Sequence, residues 1–390
     1  MMRKKICFCT TVGTTINAFL VDFSKYLVEH ENYDVTWLSA DDERLHKYLG
    51  EHIHFIPVNM KRGLSLDGPI VIWKMFQIFK REEFDVVQYA TPNASLYASV
   101  AAKMAGVKNR LYTHWGSRYM GYEGGVGRWI FKTLEKITCR NSSVIETESF
   151  SLRDFSIKDG LYPMEKSSVI WNGSACGVKL VNYDWNRRKE WRAIIRAKYQ
   201  IPEDAVVFGW CGRITRDKGH NELFEAFRQL NKKNKNARLM VVGRYDNADT
   251  IHPELLTWAH NCKEVIFTGL VPNDQVQEMY SAMDVFCSLS YREGFGLVVI
   301  EAAAMGLPGI VTDVPGQVDT IVEGETGLLV PAKEVEPVVK AMEFYIDNPE
   351  MLNSMGSNAR HGVEDKYDQQ KLFGFLAKHR NELIEKNTFG

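Results

Sequence analysis

Short apolar runs alternate with longer amphipathic segments along most of the chain, and this alternation restricts it to parallel sheets covered by helices. The first series of strand-like runs falls at 6–10, 35–39, 54–58, 86–90, 110–113 and 143–146. Amphipathic stretches such as 18–28 and 94–105 read as the helices between them. A last strand of this series starts at Val169 and ends in Trp171-Asn172-Gly173. A second series occupies 206–210, 239–242, 265–268, 285–289 and 310–312. After Lys333 the pattern is wholly helical, and 369–386 reads as one amphipathic helix able to cross back to the first domain.

With 390 residues the chain is long for one core, so two domains are expected. We place the first Rossmann-like domain at 1–180. The second falls at 181–365, and 366–390 form a terminal helix packed on the first. The segment 179–200 serves as linker and first helix of the second domain. Its Arg187, Arg188, Lys189, Arg192, Arg196 and Lys198, with Trp185 and Trp191, suit lipid headgroups or a charged surface.

The start, Arg3-Lys4-Lys5 and a short apolar run into Gly13-Thr14-Thr15, fits a first strand and turn better than a signal peptide. No window is apolar for long enough to span a membrane. The seven cysteines lack metal-binding spacing and read as reduced thiols, so a cytoplasmic location is expected. The net charge of −1 conceals a polarity. Residues 1–200 hold 29 Lys and Arg against 21 Asp and Glu, and the remainder is acidic. A basic first half suits peripheral contact with an anionic membrane face, or is merely a solvated surface. Asp41-Asp42-Glu43 follows a strand and reads as a helix cap rather than a metal site.

The sharpest motif is Ser290-Tyr291-Arg292-Glu293-Gly294-Phe295-Gly296-Leu297, followed by Glu301. Its spacing puts Glu293 before a helix and Glu301 about two turns inside it. Glycines at the start of a helix let the backbone approach a phosphate held by the positive helix end. The carboxylates suit hydroxyls of a sugar and a ribose. Cations must offset their repulsion of a diphosphate, and Arg213 and Lys218, after the first strand of the second series, are the candidates. No G-x-G-x-x-G follows the first strand, which disfavours a dinucleotide-binding dehydrogenase, and no P-loop is present.

These segments resemble the retaining family 4 glycosyltransferases of the GT-B fold, such as those of bacterial capsule, O-antigen and exopolysaccharide assembly. The carrying runs are Gly212-Arg213 with Lys218-Gly219, Val241-Val242-Gly243, Phe267-Thr268-Gly269, and Glu293-Gly294-Phe295-Gly296 with Glu301. Thr312–Gly316 and Thr326–Pro331 match too. The resemblance implies two Rossmann-like domains with a cleft between them, the first binding the acceptor and the second the nucleotide sugar. It assigns Arg213 and Lys218 to the donor diphosphate, Glu301 to the ribose, and Glu293 with Gly294, Phe295, Gly296 and Leu297 to the transferred sugar and its phosphate. Val271 meets the nucleobase, with Tyr280 a second candidate. His114, in Tyr112-Thr113-His114-Trp115-Gly116, corresponds to a strand-end histidine beside the sugar.

By the same resemblance Gly13 and Thr14 approach the donor phosphates or the acceptor, although the usual double glycine is missing. Thr91-Pro92-Asn93 resembles a Thr-Pro-Lys element, with Asn93 in place of the lysine. Arg62 or Arg118 then supplies the missing acceptor cation. The expected catalytic set is Glu293, His114, Arg213 and Lys218. The donor is a UDP-sugar, with no metal and no other cofactor. The acceptor is a lipid-linked saccharide on a polyprenyl diphosphate, and no nucleic acid is involved. Trp73, Phe76 and Phe79 at helical spacing suit a membrane face or core packing equally. A UDP-sugar 2-epimerase, a transferase for soluble acceptors and a non-catalytic nucleotide-binding scaffold are the rival readings.

Overall fold

The computed structural model describes residues 2–61, 63, 66–245 and 251–388. The chain divides into two compact units, Met1–Cys176 with Gln370–Gly390, and Gly177–Gln369.

The first unit is built on a seven-stranded parallel sheet in the order β3-β2-β1-β4-β5-β6-β7. Its strands are β1 (Lys4–Val12), β2 (Tyr33–Ala40), β3 (Ile53–Pro57), β4 (Val86–Tyr89), β5 (Asn109–His114), β6 (Val144–Thr147) and β7 (Ser167–Val169). The helices α1 (Gly13–Phe19), α2 (Val21–His30) and α3 (Glu43–His46) join the first three strands. The later crossovers carry α4 (Gly68–Glu82), α5 (Pro92–Met104), α6 (Gly125–Asn141) and α7 (Phe150–Lys158). β1 is the fully buried run that the N-terminal sequence promised, with Ile6, Cys7, Phe8 and Cys9 all in the interior. Asp42 caps α3, its carboxylate accepting from the Arg44 amide at 3.2 Å and from Arg44 Nε at 2.8 Å.

The second unit begins with α8 (Arg188–Lys198) and holds a six-stranded parallel sheet in the order β10-β9-β8-β11-β12-β13. The strands are β8 (Val207–Ile214), β9 (Arg238–Tyr245), β10 (Val265–Gly269), β11 (Val285–Ser288), β12 (Gly309–Thr312) and β13 (Gly327–Val330). Between them run α9 (His220–Lys233), α10 (Pro253–Asn261), α11 (Val276–Ala282) and α12 (Leu297–Ala304). The helices α13 (Glu336–Asp347) and α14 (Pro349–Lys366) follow, and α15 (Gln369–Thr388) returns to the first unit. Two apolar clusters cover the faces of this sheet, one around Tyr280 and Ile300, the other around Phe224 and Tyr345.

The structure departs from the sequence reading at several places. The helix expected over 18–28 starts at Gly13 and is interrupted at Leu20, whose carbonyl also accepts from Ser24 Oγ at 2.7 Å. Such back-bonding bends helices. The last strand of the first series ends at Val169 rather than Gly173, because Trp171 and Gly173 turn into the left-handed region with φ of 53° and 86°. β13 has no counterpart among the strand-like runs of the second series; it is short and lies at the sheet edge. The arginines of α8 serve the fold rather than a lipid surface. Arg192 and Arg196 both grip Asp284 at 2.7 Å, and Arg196 also donates to the carbonyls of Pro202, Glu203 and Ala205.

α15 is held by a buried ion pair. Arg380 donates to both carboxylate oxygens of Glu146 on β6, at 2.6 and 2.9 Å, and to Gln88 on β4 at 3.0 Å. Burial raises the Glu146 pKa, but the Arg380 charge and the hydrogen bonds from His379 and Arg380 outweigh it and bring the value down to about 2. Breaking a buried pair from one side leaves the other charge uncompensated, so Arg380→Met should destabilise the protein by about 3–5 kcal/mol in denaturant titration. A depressed carboxyl stabilises the fold above its unfolded value and loses that contribution as pH falls toward the folded value. The wild-type protein should therefore lose stability between about pH 4.5 and pH 2 through this group, and the variant should lack that component.

Candidate active site

The strand order of the second sheet reverses between β8 and β11, and the loops leaving these two strands turn to opposite faces. Such a reversal opens a crevice at the carboxyl ends of the strands, where open α/β sheets bind ligands. Arg213 is the next-to-last residue of β8 and is exposed. Lys218 ends the one-turn helix Arg216–Lys218 that follows. Gly219, with φ of 73°, then lets the loop lie against the end of β11; a Cβ there would sit 2.1 Å from the Leu289 carbonyl oxygen. Tyr291 N donates to Asp217 O at 2.9 Å, which joins the two loops.

That junction brings the Lys218 ammonium onto Glu293 Oε1, and Ser290 Oγ donates to the same oxygen at 2.8 Å. Cation and carboxylate, read from motifs far apart in sequence, are direct partners. Gly296, with φ of 104°, stands at the N-cap of α12, so the positive end of the helix lies beside this pair. Gly294 is buried, and the Phe295 ring is buried edge-on against Tyr367 at 5.3 Å. Phe295 thus anchors the loop through its side chain, and only its backbone is left to face a ligand. Leu297 is half-buried at the first position of α12.

Glu301 is the fifth residue of α12, little more than one turn inside it rather than two, because the helix begins only at Leu297. Tyr280 Oη donates to its Oε2 at 3.2 Å. Burial pushes the Glu301 carboxyl up to about 7, against the opposing hydrogen bonds from Tyr280 and Tyr183. Tyr280 itself is wholly buried behind Glu301 and is not a surface for a base. Val271 lies just beyond β10, partly buried against the cluster that contains Tyr280.

Residues to which the motifs gave no role hold this loop. His220 is buried edge-on against Trp210 at 4.2 Å, and its Nδ1 donates to Thr215 O at 2.9 Å. Burial lowers its pKa to about 4, so it is neutral and braces the Lys218 loop. Thr312 Oγ1 donates to Ser290 O at 2.6 Å and fixes the end of the Glu293 loop to β12. The sequence signal is position alone: His220 follows the Lys218-Gly219 motif, and Thr312 opens the Thr312–Gly316 run.

The first sheet also reverses, between β1 and β4. Gly13 and Thr14 open α1 directly after β1. A Cβ on Gly13 would meet Asp42 Cβ at 2.3 Å, so this glycine answers to local packing, while Thr14 is exposed. Thr91, after β4, is tied to Thr11 by hydroxyls 2.8 Å apart. Asn93 donates to the carbonyls of Lys61 and Gly63, both at 2.6 Å, so its amide already holds the loop between β3 and α4. Arg118 is exposed, with its guanidinium 4.2 Å from the centre of the Phe131 ring. Asn93, Arg118 and Phe131 line one cavity with Tyr97 and Glu135. Burial pushes the Glu135 carboxyl up to about 7, opposed by the hydrogen bond from Tyr112. Nothing in the sequence singled out Glu135. Arg62 lies outside the described residues.

His114 departs from the role expected of it. It is completely buried, with Nε2 2.6 Å from Ser117 Oγ and Nδ1 3.2 Å from Tyr162 Oη. Burial lowers its pKa to about 3. Both ring nitrogens are engaged within the unit, so the imidazole orients the segment after β5 and is not an exposed acid or base.

Residues 5–149 match the family described as Glycosyl transferase 4-like, and residues 192–362 match Glycosyl transferases group 1. The Staphylococcus aureus capsular polysaccharide biosynthesis glycosyltransferase CapM is 30% identical over 390 residues, covering 99% of each chain. The chain is a family 4 glycosyltransferase. An Escherichia coli relative, UDP-Gal:alpha-D-GlcNAc-diphosphoundecaprenol alpha-1,3-galactosyltransferase, is 23% identical over 88% of this chain and 87% of its own. The crystal structure of Anabaena HepE in complex with UDP and glucose superposes with a TM-score of 0.77 at 17% identity, over 97% of this chain and 99% of the other. That likeness establishes the GT-B fold for this glycosyltransferase.

Within this transferase the tight passage at Gly219 is open to test. Gly219→Ala meets both a left-handed φ and a backbone carbonyl. It should lower stability by about 1–3 kcal/mol, measured by thermal or denaturant unfolding. An unchanged melting curve would mean that the β8 loop is not wedged against β11.

Proposed function

We propose that this glycosyltransferase moves a sugar from a UDP-sugar onto a saccharide carried by a polyprenyl diphosphate. Transfer retains the anomeric configuration, giving an α-linkage, needs no metal ion, and serves surface-polysaccharide assembly at the cytoplasmic face of the membrane. The observation that carries the reading is the meeting of Lys218, Glu293 and the Gly296 end of α12 at the reversal of the second sheet. The similarity to CapM and to the Escherichia coli galactosyltransferase supports the pathway and the lipid-linked acceptor, and the UDP and glucose bound to HepE support the donor.

The chemistry follows from where charge develops. Breaking the bond between the anomeric carbon and the diphosphate builds negative charge on the leaving oxygen. Arg213, Lys218 and the helix end stabilise that charge as it forms. In the free protein Lys218 is held by Glu293. An arriving diphosphate takes over the ammonium and releases Glu293 to the hydroxyls of the sugar, while Gly294, Phe295 and Leu297 offer backbone. Glu301 accepts from the ribose, and Val271 flanks the base. In the first unit Arg118 and Asn93 serve the acceptor, with Gly13 and Thr14 in a supporting role. The acceptor hydroxyl passes its proton to the leaving phosphate oxygen on the same face, a route that needs no protein base. His114 enters as a positioning residue.

Labelled nucleotide sugars offered with lipid-diphosphate acceptors, and NMR of the product linkage, test the reaction. Conversion of the donor with no acceptor present would favour a 2-epimerase instead, and UDP binding with no turnover would favour a scaffold. Arg213→Ala and Lys218→Ala should each lower turnover by on the order of 10²–10³ with an unchanged melting temperature; near-normal rates in both would remove the diphosphate role. Glu301 offers a pH test. Its proton stays on up to about pH 7, and ribose hydroxyls need the carboxylate as acceptor. Affinity for an intact UDP-sugar, whose diphosphate does not titrate near neutrality, should rise about tenfold from about pH 6 to about pH 8. Glu301→Gln should flatten the profile in calorimetric titration.

A further inference from the structure

α4, α5 and α6 lie side by side, α4 packed on α5 and α5 on α6. Each enters from the carboxyl end of a parallel strand, so their first turns gather at one end of the first unit. At that end large apolar side chains stand in solvent. Leu66 is 100% exposed and Ile70 62%, both at the approach to α4, and Trp73 one turn on is 56% exposed. On the first turns of α6, Val126 is 73% exposed and Trp129 68%. The stripe that the sequence offered as Trp73, Phe76 and Phe79 is split by the fold, since Phe79 is buried while Trp73 faces out against Phe76.

Basic residues accompany these apolar tips. Lys61, 4.0 Å from Asp67, and Lys74 flank the first, and Arg118, Arg128 and Lys132 lie near the second, Arg118 over the Phe131 ring and the other two on Asp159. The one acidic residue of α6, Glu135, is buried and accepts from Tyr112. Single exposed apolar residues are ordinary, but two tryptophan-bearing tips at one end of a unit with positive charge behind them are not. Apolar tips backed by lysine and arginine match an anionic lipid surface, with rings at headgroup depth and cations against the phosphates. A second copy of the chain would bring like charge against like.

We propose that the first unit docks on an anionic bilayer through Leu66, Ile70 and Trp73 at α4 and Val126 and Trp129 at α6. The cavity of Asn93, Arg118 and Glu135 lies between α5 and α6, beside the second of these tips, so docking sets it at the headgroup layer, where the diphosphate of a lipid-linked acceptor resides. This placement rests on the acceptor reading above; the docking surface itself does not.

The full chain is to be sedimented with vesicles of phosphatidylethanolamine and phosphatidylglycerol, and with vesicles of phosphatidylcholine alone. Binding to the anionic vesicles should exceed binding to the neutral ones by at least about tenfold. The double variant Trp73→Ser, Trp129→Ser should lose about tenfold or more with an unchanged melting curve, and Val181→Ser, an exposed apolar position in the second unit, should bind as the wild type does. On a water-soluble short-chain acceptor the double variant should turn over normally, and on vesicle-embedded acceptor it should be slowed. No sedimentation of the wild type, or equal sedimentation of the double variant, overturns the proposal. A dimer in light scattering that the double variant dissolves, with no vesicle binding, overturns it in favour of a second copy. Variant-sensitive vesicle binding without transfer to any acceptor upholds the surface and sinks the acceptor reading alone.

Discussion

The reversal of strand order in each sheet is the constraint on which the functional features depend. In a parallel sheet every crossover delivers its loop to the same edge, but only at the reversal do neighbouring loops part and leave a space. In the second unit that space is bounded by the loops after β8 and β11, and the Lys218–Glu293 pair spans them. Either charge alone would be an ordinary surface group. Held together next to the positive end of α12, they suit the exchange of partners with an anion and a polyol that the proposed transfer calls for. The tight contact at Gly219 and the neutral His220 brace keep the arrangement from relaxing.

Burial divides the titratable groups of this molecule into two kinds. Glu146 is buried with a full positive partner and remains ionised far below neutrality. Half-buried Glu301 and buried Glu135 have tyrosine hydroxyls as partners instead and hold their protons to about 7. The first arrangement fastens a helix. The second leaves a carboxyl whose charge is settled by what lies next to it, which suits the proposed ribose contact of Glu301.

Much of the fold was legible because strand cores such as 6–10 and 285–289 are apolar on both faces and carry a signal that needs no tertiary information. What failed to show in the sequence depends on distant partners. The end of β7 is decided by left-handed backbone at Trp171 and Gly173, and β13 forms only because β12 offers it an edge. Lys218 and Glu293 were legible as motif members but not as a pair, since 75 positions separate them. His114 misled for the opposite reason. A strand-end histidine before glycine looks poised for chemistry, and only the placement of Tyr162 and Ser117 shows both of its nitrogens in use. Glu135 had no local mark at all, and its environment is made by Tyr112, which reaches the helix from β5.

The fastening of α15 also orders events in time. Its Arg380 fills a polar slot formed by Gln88 and Glu146, and Phe373 packs on Phe23. As the ribosome delivers the chain from its amino end, those partners emerge long before the helix that covers them, with the whole of the second unit still to be made. The unit that starts first is thus completed last. Until residues 370–388 emerge, its sheet carries an unneutralised carboxylate and an uncovered aromatic face, and the nascent protein must wait in that half-finished form.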